Sequence, residues 1–399
     1  MALAGDDFQT VMTLNTMSTT ASPISEKPEA TLYTAQVCRG LACLLVAIYH
    51  GAALIGNWYG VKPLLALTNF GFSGVHMFFV ISGLIIAHAH LDDVGNYRRV
   101  PAYFLKRLVR IYPLYWIVLI AVGVWQVLAK RLEIGEFLSN ALFFISSKPL
   151  IIAVSWSLAY EMVFYGIFVA FIVNRKLGLG AFTAWFGLVA LNYVYHFADT
   201  IGLQLPNLLF MLGLLTSAAG MALRNKLNQE RRDRIGIASL VAGTVIFLST
   251  AWWYVSLGDA KVDVWDSLPL ALGFGTGSAL LLLGSVSAKL EGFWKRQRFL
   301  LLIGDASYSI YLVHFYFQKH AFKGVRSLNW GLAGEKTQTT ALVLLTVIML
   351  VSVGCGILIH KLVEKPVLAK CRQWLKIGRP ARQQGRAGSP QGSANAVLP

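Results

Sequence analysis

The chain has 399 residues, of which 56% are hydrophobic and 14% charged, with a formal net charge of +16. Soluble domains hold about 45–50% apolar and about 25% charged residues, so this composition excludes an ordinary soluble domain and implies an all-α, polytopic membrane bundle. The basic residues lie in short clusters between apolar runs, as in membrane proteins, which argues against a nucleic-acid partner.

Residues 1–31 are rich in Ser and Thr, and Lys27 is their only base. No basic stretch leads into an apolar core, so a cleaved signal peptide is not expected. The segment reads as a disordered cytoplasmic tail, with Met12 and Met17 as alternative starts. A membrane domain is expected over 32–366, followed by a basic cytoplasmic tail over 367–399.

Ten apolar runs approach the length of about 20 residues that a bilayer requires. They are 32–55, 70–90, 108–129, 152–173, 178–197, 205–223, 235–256, 268–288, 299–318 and 338–362. With the N-terminus inside, 26 Lys and Arg residues fall on the inner side and 9 on the outer side. That bias predicts an N-in, C-in orientation. The outer segment 257–267 carries Asp259, Asp263 and Asp266 against one lysine. No internal repeat is visible, which weighs against many transporter architectures. Cys38, Cys43, Cys355 and Cys371 form no CxxC pair or ligand spacing, so neither a disulfide framework nor a metal site is expected.

Ionisable residues inside spans are functional candidates. In "RGLACLLVAIYH", Arg39 and His50 are eleven residues apart. Three helical turns take about 10.8 residues, so the two share a face, about 16 Å apart along the axis. The plainer alternative is that Arg39 snorkels to headgroups while His50 makes an interhelical hydrogen bond. Glu161, in "WSLAYEMVFY", reads as reaching a depth similar to His50, where it could orient a basic imidazole. A structural hydrogen bond is its alternative. In "GDASYSIYLVH", Ser307, Tyr311 and His314 fall at i, i+4 and i+7, on one face. His76, in "GFSGVHMFFVISG", lies near the outer end of its span, either at the same level or as an interfacial polar residue. In "FLKRLVRIYPLYW", Arg107 and Arg110 share a face at the inner mouth, where guanidinium groups suit phosphate. Positive-inside anchoring is the alternative for any one of them. An inner anion site with a base deeper along one helix face matches a ligand with a phosphate-rich head and a long thin arm, such as coenzyme A.

These motifs, followed by "EKP" at 364–366, occur in an order that resembles the membrane acyltransferase 3 family, from about Thr31 to Pro366. The resemblance implies about ten helices and transfer of an acyl group, usually acetyl, from acyl-CoA to a sugar hydroxyl, with no metal. It assigns Arg39, Arg107 and Arg110 to acetyl-CoA binding. It assigns His50 and Glu161 to catalysis. Ser307, Tyr308 and His314 match the late Ser-Tyr…His motif, and Ser307, Tyr308 or Tyr311 would stabilise an oxyanion. Larger members carry an added extracytoplasmic domain, whereas this sequence continues 33 residues past Pro366. It is therefore expected to act alone or within a polysaccharide biosynthesis complex. Stand-alone relatives of the exopolysaccharide type are closest in style, which implies a carbohydrate acceptor and a bacterial inner membrane. Direct transfer to the acceptor and an acyl-histidine intermediate both remain open, as do two rival functions, a transporter and a non-catalytic assembly subunit.

Overall fold

The computed structural model describes residues 32–129, 132–143, 150–258, 262–327 and 337–375, and these contain helices and turns but no strand. The tail expected over 1–31 and the chain beyond 375 lie outside the described residues. The helices are α1 (Tyr33–Tyr59), α2 (Ser73–Ala89), α3 (Val100–Leu128), α4 (Ile134–Ala141), α5 (Trp156–Val173), α6 (Arg175–Tyr195) and α7 (Leu208–Lys226). They continue as α8 (Gln229–Ser256), α9 (Leu268–Leu283), α10 (Ala288–Lys295), α11 (Arg298–Ser327), α12 (Gln338–Ile359) and α13 (Lys365–Trp374). Among the described residues, ten segments are long and apolar enough to cross a membrane, which matches the expected number. Helices α4 and α10 are too short to be among them.

Several helices outrun their apolar runs. Helix α3 begins at Val100 rather than 108, α8 at Gln229 rather than 235, and α11 ends at Ser327 rather than 318. Charged residues end a hydropathy run without ending a helix, because Lys, Arg, Glu and Gln are good helix formers. The extension of α3 places Arg107 about two turns inside it. At the other end of the chain, α12 passes through a π-helical turn, His360–Glu364, into α13. The basic tail expected from residue 367 therefore begins as helix, and Pro366, which has no N–H to give, sits where the π-helical turn already interrupts the regular hydrogen-bond ladder. Asparagine and threonine set other helix starts: the Asn174 side chain accepts from the N–H groups of Lys176 and Leu177, Asn228 from Arg231, and Thr337 from Thr340.

Successive spans alternate in direction, and contacts tie together the ends that should meet. At the face where α1 begins, the Glu291 carboxylate of α10 accepts from the N–H groups of Tyr33 and Thr34. Gly95 bonds to the Phe171 carbonyl at the same N-terminal face. At the distal face, Trp156 packs on Trp265, and the Trp58 ring lies against Arg326.

Helix α1 packs on α2, α11 and α12. It runs parallel to α11 with a constant offset of 264 residues. Gly40 meets Gly304, Cys43 meets Ser307, and His50 meets His314. Glycine is required at the first of these contacts. A Cβ on Gly304 would stand 2.2 Å from the Gln36 carbonyl oxygen. Small residues at such crossings let backbones approach closely, and this approach holds the polar residues further along in register. On the outside of the bundle, Leu128, Trp252, Leu350 and Leu362 are at least 70% exposed. Large apolar side chains exposed on several helices suit a lipid-facing surface.

Candidate active site

Arg39, Arg107 and Arg110 line one cavity of about 130 Å³, together with Glu161, Ser307, Tyr308 and Tyr311. The two arginines of α3 are held in place. Arg107 Nη2 donates to His90 Nε2 at 2.7 Å, and His90 Nδ1 in turn donates to Asp93 at 2.8 Å. Arg110 Nη1 pairs with Glu364 at 2.7 Å. Glu364 is itself buried and also accepts from Ser309 and His360. The Arg110 guanidinium lies 5.5 Å from the centre of the Tyr308 ring. Arg39 differs from both: among the described residues its side chain has neither a hydrogen bond nor an ion pair, and it is half-buried on the cavity wall. A guanidinium fork without a carboxylate, flanked by two fixed guanidiniums, is suited to an incoming phosphate.

Outside the membrane spans, the His90 imidazole is shifted down from its ordinary value, chiefly by burial. The Asp93 carboxyl is shifted down as well, chiefly by the hydrogen bond from His90. Neutral His90 can present a lone pair to Arg107 while its N–H serves Asp93.

His50 finds a partner other than the one expected. Its Nδ1 lies 3.0 Å from Nε2 of the fully buried His314. His314 Nδ1 lies 2.7 Å from the Tyr311 carbonyl, which can only accept, so that nitrogen carries the hydrogen. In the neutral pair His314 Nε2 is therefore the acceptor and His50 Nδ1 the donor. This leaves the lone pair of His50 on Nε2. The orientation that the sequence reading assigned to Glu161 thus comes from His314 and a backbone carbonyl. Glu161 instead accepts from Ser82 at 2.7 Å and from Tyr165 at 2.8 Å, on the arginine cavity. Helical geometry accounts for the difference. Parallel packing at fixed register brings His50 to His314, whereas Glu161 is on α5, whose cavity wall faces α2 and α3.

His76 is not brought to the His50 pair. It is buried and stacks on Trp265, with ring centres 5.3 Å apart, between Phe72 and Phe274. Tyr308 donates to the Ile111 carbonyl, and Tyr311 shares its hydroxyl with Ser157 and the Val154 carbonyl. Ser307 Oγ is buried on the cavity wall and has no partner among the described residues. Of the three hydroxyls considered for an oxyanion, it is the uncommitted one. No group of His, Cys, Asp or Glu residues that could hold a metal occurs among the described residues.

A family model described as an acyltransferase domain matches residues 33–361, and with it nearly every residue of this site. The chain belongs to the membrane acyltransferase 3 family. It is 26% identical over 342 residues to "Exopolysaccharide production protein ExoZ" of Rhizobium meliloti (strain 1021), covering 82% of this chain and 95% of that one. It is 24% identical over 338 residues to "Acyltransferase MdmB" of Streptomyces mycarofaciens, covering 76% and 83%. It is 27% identical over 320 residues to "Putative O-acetyltransferase SACOL0978" of Staphylococcus aureus (strain COL), covering 69% of this chain and 49% of that one. The chain thus spans about half the length of that staphylococcal relative. No solved structure matches it.

Several residues of this candidate site are not singled out by their sequence context. His90, Ser82 and Ser157 are common residue types in runs that also read as packing. Glu364 was visible as the acid of "EKP", and a lone carboxylate at the end of an apolar run is a signal that a cation awaits it. Its partner, Arg110, is 254 residues away and could not be read from spacing.

Proposed function

We propose that this acyltransferase moves an acetyl group from acetyl-CoA to a hydroxyl of an exported carbohydrate, as a multi-pass protein of the bacterial inner membrane with its N-terminal face in the cytoplasm. The observation that carries this reading is the uncommitted Arg39 guanidinium, in a cavity shared with Arg107 and Arg110, on the same helix as a histidine of fixed tautomer. Similarity to a protein named for exopolysaccharide production supports a carbohydrate acceptor.

Arg39, Arg107 and Arg110 would hold the donor's phosphates. His50 Nε2 takes the proton from the acceptor hydroxyl as that oxygen bonds to the acyl carbon. The carbon–sulfur bond then breaks, and the proton held on His50 passes to the departing thiolate. His314 stabilises the imidazolium formed in between. Ser307 offers a hydrogen bond to negative charge developing on the cavity side. The same Nε2 is the nucleophile of the two-step alternative, in which histidine carries the acetyl group.

The test uses the source cell. The gene is deleted and restored as wild type or as His50→Ala, and O-acetyl on the surface polysaccharide is measured by proton NMR. Loss on deletion and rescue by wild type alone are the expected results. Unchanged acetylation throughout would remove the carbohydrate assignment and favour a transport role. In parallel, acetyl-CoA should raise the thermal stability of the purified protein, and absence of that protection would remove the donor assignment.

A further inference from the structure

The distal face carries a second cavity, of about 620 Å³, between the ends of α5 and α6 and the segments 196–207 and 262–267. This is within the range of about 300–1,000 Å³ typical of small-molecule sites. Its wall sets the rings of Trp156, Tyr160 and Trp265 among the carboxylates of Asp199, Asp263 and Asp266. None of the three carboxylates has a cationic partner among the described residues. Asp199 accepts from the Gln204 amide at 3.2 Å, and Asp263 from the Trp265 N–H at 2.9 Å. Each ionised carboxylate has acceptor positions left over and no hydrogen to give.

This combination selects a ligand. Carboxylates accept from hydroxyl groups and repel anions. Aromatic faces take up the apolar C–H side of a ring whose rim is polar. A neutral sugar ring presents both surfaces, whereas a phosphate or a uronic acid is repelled.

The position also suits an acceptor. Trp156 lines this cavity, and the next residue, Ser157, lines the arginine cavity. Trp156 packs on Phe79, which also lines the arginine cavity. The two cavities thus lie on either side of one wall, the first turn of α5. His76, which the active-site pair leaves aside, backs the platform by stacking on Trp265. We infer that the distal cavity binds the acceptor glycan and that the segment it holds is neutral and rich in hydroxyls. The inference deepens the acetyl-transfer reading and rests on it.

The test uses the full chain in lipid nanodiscs and isothermal titration with three neutral tetrasaccharides, cellotetraose, laminaritetraose and maltotetraose, against tetragalacturonate. The variant is Asp199→Asn with Asp266→Asn, both exposed in the structure. At least one neutral tetrasaccharide should bind, and the variant should bind it about tenfold or more weakly, the effect of losing a hydrogen bond to a charged group. The same variant should bind tetragalacturonate more tightly than wild type does. Equal neutral-sugar affinity in variant and wild type overturns the inference. So does tetragalacturonate binding to wild type as tightly as the neutral sugars, or failure of all three neutral sugars to bind. Thermal protection by acetyl-CoA, measured on the same samples, separates the two readings. If it persists while the sugar results fail, only the glycan site falls. If it is absent from wild type, the donor reading falls instead.

Discussion

His50 Nδ1 and His314 Nε2 stand 3.0 Å apart, and the carbonyl of Tyr311 fixes the direction of the hydrogen bond between them. A histidine whose Nδ1 hydrogen is committed to a neighbour keeps its lone pair on Nε2, the form needed by a base or a nucleophile. Removal of the base, His50→Ala, should reduce acetyl transfer by about 10²–10⁴-fold, the usual contribution of general acid–base catalysis, with the acetyl-CoA KM little changed. His314→Ala should reduce kcat by about tenfold, the scale of one lost hydrogen bond. His314→Gln keeps an acceptor and should restore part of the loss. If glutamine rescues nothing while the fold is intact, His314 does not orient His50.

Arg39 is the cavity guanidinium with no hydrogen-bond or ion-pair partner among the described residues, so its substitution should act on donor binding rather than on the fold. Arg39→Ala should raise the acetyl-CoA KM by about 10- to 100-fold, as expected for losing charge-assisted hydrogen bonds, while the Tm without ligand stays near that of wild type. Arg39→Lys should recover only part, because an ammonium cannot reproduce the fork. Steady-state kinetics with radiolabelled acetyl-CoA would decide this, and an unchanged KM would remove Arg39 from the site.

Glu364 has a structural part to play through Arg110. Glu364 is 1% exposed and Arg110 31% exposed, so breaking their pair leaves a cation that water can partly reach. Glu364→Gln should therefore destabilise by about 1–3 kcal/mol, below the usual range of about 3–5 kcal/mol for a fully buried pair. The same change should raise the acetyl-CoA KM by loosening Arg110. Thermal unfolding in detergent and a KM measurement check the two effects separately.

Gly304 sets the distance between α1 and α11. Gly304→Ala places a Cβ 2.2 Å from the Gln36 carbonyl oxygen, so one backbone must move. Overpacking of this kind costs about 1–3 kcal/mol. Because the same two helices hold His50 against His314, activity should fall more steeply than the thermal shift alone accounts for. Parallel measurements of Tm and kcat would show this, and proportional losses would contradict it.

Acid should weaken the Arg107 corner of the cavity. Both His90 and Asp93 have folded-state pKa values below their ordinary ones, so the unfolded chain binds more protons. Their contribution is present above the ordinary histidine value of 6.5 and is lost as pH falls below it, His90 first and Asp93 after. Tm should therefore drop between pH 7 and pH 5, and His90→Asn should flatten that drop. A wild-type Tm that does not change over this interval would contradict the assignment.

The membrane class and the number of spans follow from the order of apolar residues alone, because any run of about 20 of them must be buried in lipid. The shared face of Arg39 and His50 is equally a property of one helix, fixed by 3.6 residues per turn. The alignment of Ser307, Tyr311 and His314 has the same origin. Pairing between helices is another matter. That His50 meets His314 rather than Glu161 depends on the close approach of Gly40 and Gly304, and on a parallel register across 264 residues. That Arg110 meets Glu364 depends on a π-helical turn that carries α12 into α13. The distal cavity gathers residues from α5, the end of α6 with the loop after it, and the segment before α9, and of these only α5 carries a motif. Local periodicity determines which side chains share a face, but packing between helices distant in sequence decides which faces meet.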